Sequence, residues 1–322
     1  MPVVVDTPPY GGLRQVNFLP RRGRFTAMTT ARKYTPISAE GRLGRANEHP
    51  GRCDQVYRRR RDALAARAEN HQVGTPYPDV AYTEEEHRTW RTVHQALAPA
   101  HRAHACREVL AALDDAEIPA EGVPQHTDIT PGLRARTGFA LTLAGGVVPN
   151  ERFLGAMEHG YFHAVQFVRH PAVPLYTPEP DVLHDVFGHG IHLSSPRIAE
   201  LYRVIGRAAN RVRTAEALDI LSRVYWYTLE YGLIAESGVP KAYGAALLSS
   251  YGEIAAHDAR EVRELDICQA ASTPYRISGY QAVLFAARSF SHLEDAIGAF
   301  CAEFDDDTGD RLGLPSLPRD RS

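Results

Sequence analysis

Residues 176–193, YTPEPDVLHDVFGHGIHL, set His184, His189 and His192 among apolar side chains and two glycines. The plain reading is a polar loop, and the sharper one is half of a metal site. A five-residue step turns about 140° on an α-helix, so His184 and His189 do not share a helix face. The four-residue step that sets two imidazoles side by side for zinc is absent. The pair converges only if the helix is broken between them. Gly188 supplies a break just before His189, because glycine accepts the left-handed conformation that ends helices. Pro178 and Pro180 disfavour an earlier helix start.

Two neutral imidazoles leave a divalent ion short of ligands. The best anionic candidate is Glu230, inside the apolar run YWYTLEYGL over 225–233. A carboxylate there is costly unless paired. A cation is one partner. Arg223, two turns back on the same side, is the other, and spacing alone does not separate them. Two histidines and one carboxylate on one face of an ion leave three positions open, as in the non-haem Fe(II) oxygenases. His192 and Asp185 are alternative ligands, although Asp185 adjoins His184 and would point away from it on a helix.

The rest of the chain bounds the fold. Of 322 residues, 44% are hydrophobic, and the net charge is −3. That gives enough apolar residues for a real core and no overall basic field for nucleic acid or a membrane surface. Cys53, Cys106, Cys268 and Cys301 form no CxxC pair, which fits a reducing cytoplasm. Neither a membrane span nor a secretory signal is evident. Residues 1–70 read as an N-terminal extension, mostly disordered by its Arg, Gly and Pro content, with a possible basic helix over 57–70. The Arg58–Arg61 run in it reads as a solvated helix face rather than a nucleic-acid contact. Residues 71–303 read as one catalytic-size domain and 304–322 as a flexible tail. The domain is mainly α with a few short strands. Thr83 caps a helix whose Trp90, Val93 and Leu97 recur at helical spacing. TGFALTLAGGVVP reads as a strand and turn. Asn150 caps a helix over 151–168 with Phe153, Met157, Tyr161 and Val165 in step, and Ser195 as cap with Pro196 at the first position opens another.

YTPEPDVLHDVFGH, YWYTLEYGL, KAYGAALLSSYGE and TPYRI, in this order and spacing, closely resemble the pterin-dependent aromatic amino acid hydroxylases. RFLGAMEHGYFHAVQFVRH resembles the segment before the first motif. The resemblance covers roughly 76–302. It implies the hydroxylase catalytic-domain fold around a non-haem iron pocket, with His184, His189 and Glu230 on the iron. It implies that Arg169 pairs with the substrate carboxylate and that Asp181 holds this arginine. Thr177 and Ser249 match positions near the amino acid, and Trp226 a residue packed against its ring. Phe153 matches the residue stacked on the pterin, and Val148 one whose backbone contacts it. Asp185 matches an acid on the cofactor side, and Glu179 and Glu253 match acids near the site. The implied cofactors are Fe(II), a tetrahydropterin (tetrahydrobiopterin or a bacterial equivalent) and O2 as cosubstrate.

The chain departs from the family in three places. Ile191 stands where the family has a proline, and Tyr231 where phenylalanine is common. The tail lacks the heptads of the animal enzymes' tetramer helix, so a monomer is expected. The expected partner is a small aromatic amino acid, with no nucleic acid and no membrane. Trp226 leaves little room for an indole, and Ile277 offers a tyrosine hydroxyl no partner, so phenylalanine is the expected substrate. The product is tyrosine, or 3-hydroxyphenylalanine if Tyr231 and Ile191 shift the ring. The alternatives are a tryptophan or tyrosine hydroxylase of secondary metabolism, a metal-dependent hydrolase, or an inactive pterin- or amino-acid-binding protein. A chain starting near Asn70 is expected to fold and turn over.

Overall fold

The computed structural model describes residues 34–257, 260–276 and 279–314. Among the described residues, ten α-helices of five or more residues form most of it. They are α1 (Gln55–Ala66), α2 (Glu84–His104), α3 (Arg107–Ala116), α4 (His126–Thr137), α5 (Asn150–Glu158), α6 (Pro196–Arg211), α7 (Ala215–Tyr225), α8 (Ala245–Ser249) and α9 (Phe290–Ala302), with a further helical segment, Ile267–Ser272, between α8 and α9. The strands are short. β1 (Tyr34–Pro36) pairs antiparallel with β2 (Leu43–Arg45), and β3 (Ala140–Leu143) pairs parallel with β4 (Tyr161–Ala164). β5 (Leu233–Glu236), β6 (Val239–Ala242), β7 (Glu261–Glu264) and β8 (Val283–Ala287) form a sheet in the order β6-β5-β8-β7. The mainly helical expectation holds among the described residues.

The helix starts are chemical. The Thr83 hydroxyl accepts from the Glu86 backbone N–H, and the Glu86 carboxylate accepts from that of Thr83; this reciprocal box satisfies two donors that the first turn leaves open. Ser195 caps α6 by accepting from Ile198, with Pro196 at the first helical position. Ile198, Leu201, Tyr202 and Ile205 then recur every three or four residues and are all buried, which seats α6 against α5 and α9 in the main core.

Two expected elements differ. The helix opened near Asn150 stops at Glu158 instead of running to 168. Gly160 follows at φ +72, and a Cβ there would lie 2.7 Å from the Gly138 carbonyl oxygen. Only glycine fits that turn, and it sends Tyr161–Ala164 into β4 beside β3. Asn150 is not the cap either; it is the first helical residue, and its amide donates to Asp219 at 3.3 Å.

The domain limits also differ. Residues 1–33 and 315–322 lie outside the described residues. From Tyr34 to Asn70, however, the chain packs on the domain. Leu64 of α1 is buried with Val80 and Phe167, because α1 carries an apolar edge beside its arginines. At the other end, Asp306 accepts from the backbone N–H groups of Arg213 and of Thr214, the residue that caps α7, and Thr308 is buried. Neither 70 nor 303 is a break in packing. No helix among the described residues is long and apolar enough to cross a membrane.

Candidate metal centre

His184 ends a short helical turn, Val182–His184, and His189 lies in the π-helical segment Asp185–Gly190 that follows. A π turn carries i→i+5 bonds, so residues five apart come round to nearly the same side. The helix therefore does not end at Gly188, as the spacing argument required; it widens. Gly188 has a different duty. A Cβ there would lie 2.6 Å from the Ala245 carbonyl oxygen, so glycine lets the start of α8 press against the turn. Glu230 ends a second π-helical segment, Trp226–Glu230, which continues α7.

These segments bring His184, His189 and Glu230 together, with ligand atoms within 4.8 Å of one another. His184 Nε2 lies 3.0 Å from His189 Nε2. Glu230 reaches 3.2 Å from His189 Nε2 and 3.7 Å from His184 Nε2. Two ligands about 2.1 Å from an ion and at right angles would be ~3.0 Å apart. The proton positions point the same way. Ser249 Oγ donates to the Ala246 carbonyl, so it accepts from His184 Nδ1 at 2.8 Å and leaves Nε2 bare. Burial holds the pKa of His184 at about 4 and that of His189 at about 3. Both imidazoles are then neutral at pH 7. Burial also raises the Glu230 pKa, a cost that a cation reverses. Arg223 is no competing partner, since it donates to the Ala271 carbonyl.

His192 and Asp185 do not join the cluster. His192 bonds Tyr202 and the Tyr243 carbonyl. Asp185 is buried, accepts from the Val165 backbone at 2.7 Å, and has its pKa raised well above normal by burial. It stands on the wall of neither cavity described here.

His184 and Glu230 line a cavity together with Arg169, Thr177, Trp226, Tyr231 and Ser249. Arg169 and Asp181 form a buried fork at 2.8 and 3.0 Å. Asp181 also accepts from the backbone of Arg169 and of His184, so one carboxylate ties this arginine to the metal segment. Pro174 takes a third N–H of Arg169; two of the guanidinium's five donors remain for a ligand. Trp226 is fixed between Tyr275 at 4.4 Å and Tyr231 at 4.9 Å. Thr177 lines the cavity but gives its proton to the Glu179 carbonyl, and the Ser249 hydroxyl is engaged by His184. Ile277 lies outside the described residues.

A second cavity is lined by Val148, Gly145, Gly146, Arg61, Arg152 and His163. Phe153 is set back from it, edge-on to Phe162 and Tyr225 and 6.4 Å from His163. Both His163 ring nitrogens are buried with no partner, an arrangement costly enough to require a ligand or water. Arg61 joins the cavities through its fork onto Glu179, at 2.8 and 2.5 Å.

Sequence reasoning missed Arg61, His163 and Tyr202. Arg61 was hidden in a run of four arginines. His163 sits in a strand whose neighbours are all apolar. Tyr202 looks like any aromatic on the buried face of a helix.

A family model for biopterin-dependent aromatic amino acid hydroxylases matches residues 37–308. A phenylalanine 3-hydroxylase of Streptomyces coeruleorubidus is 42% identical over 260 residues, covering 81% of this chain and 93% of the relative. A tyrosine 3-monooxygenase of Bos taurus is 38% identical, over 79% of this chain and 53% of its own length, so this chain spans about half of that enzyme. The crystal structure of phenylalanine hydroxylase from Chromobacterium violaceum with bound iron(III) and 7,8-dihydrobiopterin superposes with a TM-score of 0.70 at 28% identity. It covers 81% of this chain and 96% of the other.

Proposed function

The chain belongs to the biopterin-dependent aromatic amino acid hydroxylases, and from that premise we propose that it hydroxylates the ring of phenylalanine, with His184, His189 and Glu230 holding the iron. The observation that carries this reading is the convergence of two imidazole nitrogens and a buried carboxylate beside the cavity that Arg169, His184 and Glu230 line. The donor set suits iron, because one anionic and two neutral ligands on one side leave positions open for oxygen chemistry. The second cavity suits a pterin: the unpartnered His163 nitrogens offer hydrogen bonds to a heterocycle, and the Val148 backbone borders the same space. When bound, Fe(II) and the tetrahydropterin activate O2 and deliver one oxygen atom to the substrate ring.

The protein's part is placement. Arg169 takes the substrate carboxylate with its free N–H groups, and a planar fork fixes direction as well as position. Asp181, bonded at once to Arg169 and to the His184 backbone, sets the distance from that anchor to the metal. Trp226, clamped by two tyrosines, is the wall against which the ring lies. Trp226 and Glu230 line the same cavity, and an indole, bulkier than a phenyl ring, would compete with Trp226 for space in it. Holding the ring and open iron positions in register removes most of the entropic barrier to reaction.

The 3-position is the ring carbon we assign, which makes the product 3-hydroxyphenylalanine. Support comes from the relative of that activity, which this chain matches nearly end to end, and from Tyr231, whose ring lies against Trp226 where the family commonly has phenylalanine. The enzyme is read as cytoplasmic, a compartment that suits its four free cysteines, and as a monomer. The test is a competition assay with Fe(II), O2 and a tetrahydropterin, the products being resolved against 3-hydroxyphenylalanine, tyrosine and 5-hydroxytryptophan. Phenylalanine should show the highest kcat/KM. A higher value for tryptophan would defeat the Trp226 argument, and tyrosine as sole product would defeat the 3-position.

A further inference from the structure

His192 and Tyr202 touch none of the cavity described above, yet both are fully buried beside His189. Three contacts run in series. His192 Nε2 lies 2.5 Å from the Tyr243 carbonyl oxygen. His192 Nδ1 lies 2.8 Å from the Tyr202 hydroxyl. The same hydroxyl lies 2.7 Å from His189 Nδ1. A carbonyl oxygen only accepts, so His192 carries its proton on Nε2. In a neutral imidazole the other nitrogen is then bare and accepts. Tyr202 must therefore donate to His192 and present a lone pair to His189. That lone pair takes a proton from His189 Nδ1, which leaves His189 Nε2 bare, facing His184 and Glu230. We propose that His192 and Tyr202 are positioning residues that set the His189 tautomer for metal binding, starting from the backbone carbonyl of Tyr243.

The missing proline belongs to this device. Residue 191 donates its backbone N–H to the Gly188 carbonyl, which a proline cannot do. The turn runs on into the helix Ile191–Ser194, and His192 arrives three residues after His189, within reach of the same hydroxyl.

The inference rests on the iron reading above and makes a prediction that simple packing does not. In His192→Leu the Tyr202 proton loses its acceptor and turns to His189 Nδ1. That moves the His189 proton to Nε2, the nitrogen the metal needs. Removing the misdirected donor as well should repair part of the damage. Co(II) affinity of the full chain, read by its visible absorption, is the assay. His192→Leu should weaken binding about 10- to 100-fold, the range for lost partners of metal-bound histidine. His192→Leu/Tyr202→Phe should bind more tightly than His192→Leu alone. A His192→Leu affinity within twofold of wild type, or a double variant weaker than the single, would overturn the relay. Wild-type protein that binds no Co(II) would overturn the metal reading and the relay with it. If His192→Leu does not fold, nitrogen-15 spectra of the metal-free wild-type histidines decide. The His189 proton on Nδ1 with that of His192 on Nε2 supports the relay, and any other pairing ends it.

Discussion

The metal corner and helix α1 wall two neighbouring cavities by opposite means. At the metal corner His184, His189, Asp181, Arg169 and Glu230 are all buried, and, apart from the Arg169 bond to the half-buried Pro174, their hydrogen bonds and ion pairs end on other buried groups. On the α1 side, Arg60 pairs with Glu86 and Arg61 with Glu179, with side chains 38%, 15%, 23% and 34% exposed. Interior groups of the first kind are indispensable, because deleting one strands its partner away from water. Rim pairs of the second kind are worth about 0–1 kcal/mol each. The metal corner therefore decides whether the site exists, and α1 decides how well the loop above it is held.

The largest effect should come from the interior. Glu230→Ala removes the carboxylate of the proposed ligand set, and iron content and turnover should both fall about 100-fold or more, at least the upper end of the range for losing a ligand's outer partner. Iron retained at wild-type level, measured by metal analysis, would return Asp185 or His192 to the ligand set. Asp181→Ala comes next. It leaves the Arg169 guanidinium buried without its counter-charge, which costs about 3–5 kcal/mol. Urea titration should report that loss together with a steep rise in KM for the amino acid.

The interior should also respond to acid. His126 is fully buried between Tyr77 and the Val165 carbonyl, and burial lowers its pKa to about 4. A depressed histidine stabilises the fold in its neutral form. That stability is complete above the unfolded value near 6.5 and is lost as pH falls through about 4. The loss is worth about 3 kcal/mol, and it should disappear in His126→Gln when unfolding is compared at pH 7 and pH 4.

Truncation tests the other side of the comparison. Composition led to the expectation that a chain starting at Asn70 works unchanged. With Tyr57 packed on His170 at 5.0 Å and Arg61 forked onto Glu179, removal of α1 should instead raise KM for phenylalanine about 5- to 10-fold, roughly 1–1.4 kcal/mol, with iron content unchanged. Equal KM values would make α1 a passenger. Arg60→Ala should be the smallest change, about 0.5 kcal/mol at low salt and less at high salt, read by thermal unfolding.

The cluster His184, His189 and Glu230 was legible as a candidate ligand set in the sequence because its chemistry is local and scarce. A glutamate in an apolar run and two histidines around a glycine have few uses. Helix caps were legible for the same reason: Thr83 and Ser195 act within four residues of themselves. The sequence could not show how the histidines meet. A five-residue step is wrong for an α-helix, and the widened turn that corrects it is stabilised by packing, with Ala245 pressed against Gly188. Nor could it show the end of α5 at Glu158, because the apolar four-residue step runs on through Tyr161, and it takes the close approach of Gly138 to Gly160 and the pairing with β3 to make Tyr161–Ala164 extended. The Arg58–Arg61 run held two rim contacts that composition could not separate from solvent. His192 was visible, but its use was not. A histidine offers a ligand or a hydrogen bond with the same atoms, and only the tertiary placement of Tyr202 and the Tyr243 carbonyl decides which.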